Sequence, residues 1–459
     1  MPVVGSLHGL EGRTTLRAGS NSVRYIDSIS TLTITNARIL TLAGPTAPRR
    51  GDTLCDLGVI ERGFVRIEDG RIAEVGEGEC SLAAAPAEDG GARLGKPAED
   101  GGARSELRDV EILDAGGCVL MPAFVDCHTH ACWAGQRFDE FEMKLAGRSY
   151  LEILNSGGGI MSTVRAVRGA SQQELTENLG RRLERMAALG TATVEVKSGY
   201  GLTTRDELKM LRAVREAASG SAMTIVPTFL GAHAIDPDNP KFIEQTIDET
   251  LPAVVEEFPG IVCDAYCEQG AWSLDDTKRL FEKAHLLGLP LRVHADQFNS
   301  LGMTRLAVDM NAVSVDHLEA TTPDDLNYLA QSETMGVALP ASGFHLDDCY
   351  APARAFVDAG GALAIATNYN PGSAPTPSMP FVIALACRKM GLTPAEAIAC
   401  STINAACVLN LASEVGSIEV NKRADLQLLD GTDERELGYE FASPGPWLTI
   451  INGQIMHRR

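Results

Sequence analysis

The chain has 459 residues, 44% of them hydrophobic, which is enough for a large buried core and one or two domains. A formal net charge of −21 disfavours nucleic acid and anionic membrane as partners, and no apolar run approaches the roughly 20 residues that cross a bilayer. Eleven cysteines without a repeating spacing predict no disulfide framework and a reducing, cytoplasmic compartment.

Residues 1–30 lack the apolar centre of a secretory signal, and Glu11 and Asp27 argue against a transit peptide; an unstructured extension is expected. Residues 31–80 alternate like short strands, with Glu68, Asp69 and Gly70 marking a hairpin turn. The octet PAEDGGAR then occurs at 86–93 and again at 97–104. Its Gly, Ala and charge offer no apolar face, so 81–106 is expected to be a solvated, disordered insertion. Strand character resumes at 110–120.

From 121 onward, eight short apolar runs end in polar residues: "MPAFVDCHTH", "TATVEVKSGY", "MTIVPTFLGAH", "IVCDAYCEQG", "PLRVHADQF", "AVSVDHLEA", "MGVALPAS" and "ALAIATNYN". Amphipathic stretches such as "SQQELTENLGRRLERMAALG" and "DELKMLRAVREAA" lie between some of them. Near-continuous apolar strands alternating with helices predict a parallel sheet covered on both faces, and eight repeats predict a closed barrel. Residues 413–459 return to the strand style of the N-terminal part. The expected fold is α/β: a (β/α)8 TIM-type barrel over 121–412, with a small composite β-sandwich domain built from 31–120 and 413–459.

Five of the nine histidines sit at the ends of these runs: His128 and His130 on the first, His233 on the third, His294 on the fifth and His317 on the sixth. C-terminal strand ends of such a barrel converge on one face, where active sites lie. In a strand, residues i and i+2 point to the same side, so His128 and His130 can both face the barrel axis. With His294 they suit a zinc-like or iron-like ion. Such a metal acidifies water and polarises a carbonyl, and His233 can add a hydrogen bond to a developing oxyanion. Asn368, at the eighth strand end, can offer its carbonyl oxygen to a metal but cannot take a proton at neutral pH. Cys127 and Cys132 read as small packing residues beside the histidine pair.

"MPAFVDCHTH" followed by "GQR", then "YLEILNSGGGIMSTVRAVR", "VEVKSGYGL", "TFLGAHA", "VHADQ", "DHLE", "NPGSAPTPSMP" and "TINAA", run in order from about 110 to 430. This set resembles the imidazolonepropionase family of the amidohydrolase superfamily. The resemblance implies a mononuclear site holding one divalent or trivalent metal ion, Zn or Fe. It also implies opening of the cyclic amide of 4-imidazolone-5-propanoate to N-formimidoyl-L-glutamate in histidine degradation. It assigns His128, His130 and His294 as metal ligands, with Asn368 standing where the family has aspartate. Arg137 is assigned to the propanoate, and Tyr150, Tyr200, His233, Asn370, Gly372 and Ser373 to substrate contacts. His233, His317 and Gln297 are assigned to catalysis; at the position of Gln297 some members carry Glu.

Asp296, Glu268, His317 and His233 are the candidates to replace the missing aspartate as proton acceptor. Arg137 has the competing option of pairing with Asp139 or Glu140, and Lys197 is expected to be structural or charge-balancing. Two other readings remain open at this level. One is a hydrolase of a related ring with a propanoate arm, of hydantoin type; the other is a catalytically impaired binding protein for an imidazole acid. A homodimer acting on a small-molecule substrate is the expected assembly.

Overall fold

A computed structural model describes residues 31–80, 110–148, 152, 156–346 and 348–459. The expected extension at 1–30, the insertion at 81–106 and Tyr150 lie outside the described residues. The N-terminal part forms β1 (Thr31–Leu40), β2 (Val59–Glu68), β3 (Arg71–Glu77), β4 (Val110–Asp114) and β5 (Val119–Pro122). Between β2 and β3, Asp69 and Gly70 both have positive φ (48° and 79°), the backbone that a two-residue hairpin turn demands.

The barrel follows: β6 (Phe124–Asp126), β7 (Thr191–Lys197), β8 (Thr224–Ala232), β9 (Val262–Cys267), β10 (Leu291–Ala295), β11 (Ser314–His317), β12 (Met335–Ala338) and β13 (Leu363–Ile365). Each lies within one of the eight apolar runs, and neighbours pair in parallel from β6 to β13 in sequence order. The ring closes just beyond its ends, where Asn368 N donates to His128 O and His130 N donates to Tyr369 O, both at 3.0 Å. Closure therefore sets the first and eighth strand ends, and their polar residues, side by side. Outer helices start where the sequence supplies caps. Ser171 and Glu174 form a capping box for Gln172–Ala188, and Thr203 accepts from Asp206 N ahead of Thr204–Ser219.

After the barrel come β14 (Leu426–Leu428), β15 (Leu448–Ile451) and β16 (Gln454–Arg458). They join the N-terminal strands in one continuous sheet of order β16-β15-β14-β5-β1-β2-β3, with β4 parallel to β1. Leu32, Ile34 and Val65 from one end of the chain share a core with Leu426, Leu448 and Ile450 from the other. The composite β-domain expected from the two termini is thus present. No helix among the described residues is long and apolar enough to cross a membrane.

A buried carboxylate helps close the barrel. Asp126, fully buried on β6, accepts from Thr367 N at 3.1 Å and Thr367 Oγ1 at 2.5 Å. Burial pushes its carboxyl up to about 7. Between the ordinary value near 4 and this raised value, the unfolded chain has released the proton that the folded chain keeps. This group's contribution to stability therefore falls as pH rises through that window, by about 1.4 kcal/mol per unit. Asp126→Asn keeps an acceptor for Thr367 and removes the titration. Urea melts at pH 5 and pH 7 should show the natural chain losing stability relative to the variant; parallel pH profiles would contradict this.

Candidate active site

His128 and His130 follow β6 and His294 is the penultimate residue of β10; all three are buried, and their ligating atoms lie within 4.8 Å of one another. Among the described residues this is the one set of His, Cys, Asp or Glu side chains grouped this way. Two carboxylates set the imidazole protons. Asp316 Oδ2 lies 2.6 Å from His128 Nδ1, and Asp264 Oδ1 lies 3.1 Å from His294 Nδ1. A proton on each Nδ1 leaves Nε2 as a lone pair, the tautomer a metal needs.

The donor set passes a direct test of fit. His128 Nε2 is buried without a hydrogen-bond partner, and His130 Nε2 and His294 Nε2 stand 3.3 Å apart. Tetrahedral zinc with bonds of about 2.0–2.1 Å spaces its nitrogen ligands by about 3.3–3.4 Å. Burial holds all three imidazoles below the ordinary histidine range, so they are neutral donors. The three can hold a metal ion.

Beneath them lies a charged layer that the period of two along each strand points inward. On β10, Arg292 stands two residues before His294; on β7, Glu195 stands two before Lys197. Lys197 Nζ bridges Glu195 (2.5 Å) and Asp264 (2.7 Å), while Arg292 Nη2 donates to Asp316 at 2.6 Å. All five are at most 1% exposed. Burial alone would raise the Asp264 carboxyl, but His294, Lys197 and Arg292 outweigh it and hold it well below the usual range. Lys197 thus sits in a structural, charge-balancing position.

Asn368 is buried beside the triad in the left-handed region, with φ 53°. Its Nδ2 donates to Ser342 Oγ at 2.7 Å, and its Oδ1 is buried without a hydrogen-bond partner. Ser342 therefore orients the amide, leaving Oδ1 as the atom available to a cation. Asp296 and His317 also have positive φ, 56° and 89°. Such backbone at three strand ends is strain that a site tolerates.

A cavity of about 210 Å³ opens beside the imidazole triad, lined by His130, His294 and Asn368. Arg137, Tyr200, His233, Gln297, His317, Asn370, Gly372 and Ser373 line it too, so the expected pocket residues that are described do converge. No described carboxylate lines this cavity; its full cations are Arg137 and Lys144.

The side chains in it do different things. His233 lies over His130, rings 4.8 Å apart and nearly parallel, and its Nδ1 donates to Gly199 O at 3.1 Å. Burial, then His294, pushes His233 down to about 3, so it stays neutral and presents an Nε2 lone pair. That revises the expected oxyanion contact: a neutral His233 in this tautomer accepts a proton-bearing group rather than donating one. Gln297 Oε1 accepts from Tyr266 Oη at 2.9 Å, which leaves its Nε2 hydrogens as donors. Asn370 shapes the loop, its Oδ1 accepting from Gly372 N and Ser373 N, both at 2.8 Å. Arg137 forms a two-bond pair with Glu140 through Nε (2.9 Å) and Nη2 (2.5 Å). Its Nη1 lies over Gly372, where a Cβ would stand 2.6 Å away. Pairing with Glu140 therefore leaves Nη1 at the cavity wall.

Two of the proposed proton acceptors are not brought to the cavity. Asp296 Oδ2 accepts from Thr304 and Thr321. Glu268 accepts from Gln269 N, Phe298 N and Asn299 N. His317 is different: its Nδ1 lies 3.2 Å from Glu319 Oε1, both side chains being buried. Glu319, Ser342, Lys144 and the Arg292–Asp316 and Lys197–Asp264 pairs were not foreseen. The alternation along β7 and β10 carried a signal for the charged layer. Nothing local marked Ser342.

The amidohydrolase family pattern matches residues 119–456. An imidazolonepropionase of Herpetosiphon aurantiacus is 43% identical over 93% of this chain and 97% of its own length. Another, of Symbiobacterium thermophilum, is 41% identical over 90% and 94%. Among solved structures, 5-methylcytosine deaminase from Klebsiella pneumoniae superposes with a TM-score of 0.66 at 16% identity, covering 93% of this chain and 97% of that one. Guanine deaminase of E. coli reaches 0.66 at 15%, covering 94% and 99%. The two deaminases share the fold, and the two closer sequences share the family: this chain belongs to the imidazolonepropionases of the amidohydrolase family.

Proposed function

We propose that this chain hydrolyses the cyclic amide of 4-imidazolone-5-propanoate to N-formimidoyl-L-glutamate. One observation carries the reading: a neutral imidazole triad, with His130 and His294 in the wall, borders a small cavity whose described lining holds Arg137 and Lys144 and no carboxylate. Arg137 Nη1 pairs with the propanoate, a charge-assisted contact, while Glu140 holds the other edge of its guanidinium. The His233 Nε2 lone pair accepts from a ring N–H, and the Tyr200 hydroxyl and Gln297 Nε2 supply donors beside the carbonyl. His128, His130, His294 and Asn368 Oδ1 hold one ion, zinc or iron, which when bound supplies Lewis acidity toward water and the carbonyl. His317 Nε2 takes the water's proton, Glu319 stabilises the imidazolium at Nδ1, and the same proton is returned to the leaving ring nitrogen.

The domain limits at 120/121 and 412/413, a cytoplasmic setting and a homodimer without nucleic-acid or membrane partners belong to the same reading. Eleven free thiols and the charge of −21 support the compartment and the absence of anionic partners.

The test is turnover of freshly made 4-imidazolone-5-propanoate beside hydantoin-5-propanoate, with the product identified. The expected result is N-formimidoyl-L-glutamate from the first at the higher kcat/KM; preference for the hydantoin, or binding without turnover, would overturn the assignment. Asn368→Asp adds a ligand charge and should tighten metal binding by on the order of tenfold, about 1.4 kcal/mol. Competition with a chelator measures it, and unchanged affinity would place Asn368 away from the ion.

A further inference from the structure

A second, larger cavity of about 520 Å³ adjoins the hydrolytic one, and Arg137, Lys144 and Gly372 line both. The mechanism above does not use it. Apart from Lys144, which is itself engaged, its described lining carries Arg137, Arg182 and Arg185 against one carboxylate, Glu140, which pairs with Arg137. That excess is notable in a chain of net charge −21, because a cleft lined by one sign concentrates ligands of the other.

The same cavity has flat faces. The Arg182 guanidinium lies 3.3 Å from the Trp133 ring centroid, and Phe141 and His345 are nearly parallel at 5.9 Å. Arg182 is anchored from behind, Nη1 donating to Ala131 O and Trp133 O. Arg185 is exposed, lines the same cavity and reaches Tyr369 Oη at 3.4 Å. Cations beside aromatic and guanidinium planes suit a planar ring that carries a carboxylate.

We propose that this cavity is a second binding site, an antechamber that captures a planar five-membered ring with a carboxylate arm before that molecule passes Arg137. The ligand class rests on the hydrolytic reading above. Arg185 engages the carboxylate, and the ring lies against the aromatic wall. Transfer inward moves the carboxylate from Arg185 to Arg137, whose Nη1 faces the shared wall over Gly372.

Imidazole-4-propanoate, which has the ring and the arm but no cyclic amide, is the probe. Calorimetric titration of the metal-loaded full chain is expected to give two equivalents, the weaker one lost at high salt. Arg185→Glu and Arg185→Gln should each retain one equivalent, and Arg185→Glu should lower kcat/KM for the imidazolone about tenfold at low ionic strength. One equivalent in the natural chain, or two in both variants, would overturn the antechamber. Turnover reports separately on the hydrolytic reading: a chain that binds two equivalents, loses one in both variants and opens no ring supports this site while removing that reading.

Discussion

His317→Asn is expected to lower kcat by about 10²–10⁴-fold with bound metal unchanged. The cavity offers the water's proton few places to go. Asn368 is an amide, and Asp296 and Glu268 face other partners outside the cavity. His233 is a weak base, down to about 3, because burial and His294 disfavour its cation. His317 has an Nε2 at the cavity and a carboxylate behind Nδ1 that favours the imidazolium once it forms. Asparagine can occupy the space and cannot carry the proton. Glu319→Gln should lower kcat less steeply, since the base survives but loses the charge that stabilises its protonated form. Rapid-quench turnover with metal analysis of each variant tests this. Near-natural kcat in His317→Asn would move the acceptor elsewhere.

Lys197→Met is expected to cost about 3–5 kcal/mol of stability, the range for breaking a buried ion pair from one side. It leaves Glu195 and Asp264 as buried carboxylates, with Arg292 Nη1 at 3.5 Å from Glu195 as partial compensation. The sign with pH follows from Asp264. Its carboxyl is held low in the folded chain, so its contribution is present above the ordinary value near 4 and lost as pH falls through that range. The gap between natural chain and variant should therefore be fully open at pH 5 and above and should narrow as pH falls below about 4 in urea melts. Loosening Asp264 also frees His294 Nδ1, and metal affinity should drop by about 10–100-fold. An equally stable variant would mean that the lysine is dispensable to the layer beneath the histidines.

The barrel was legible because eight buried parallel strands write eight apolar runs, each ending where a chemical residue begins. His128, His130 and His294 were legible for the same reason: strand ends converge, and alternation fixes which side chain faces the axis. The layer below obeys that alternation too, so Arg292 and Glu195 were readable in principle. Glu319 was not, although it lies two residues from His317. Left-handed backbone at His317 and Leu318 (φ 89° and 76°) turns the chain there, and neither residue type announces it. Asn368 reads in the sequence as a chemical gap; its bond to Ser342, 26 residues earlier, fixes the orientation of the amide, and no local signal announces that partner. Arg185 reaches the antechamber from a helix that its sequence marks only as amphipathic.

Metal content and turnover of 4-imidazolone-5-propanoate, measured on one preparation before and after chelation, test the central claim most directly. The geometry predicts about one ion per chain, loss of ring opening when it is removed and recovery when zinc or iron is restored. Ring opening that persists without metal, or a metal-loaded chain that binds the acid and leaves the ring intact, would contradict it.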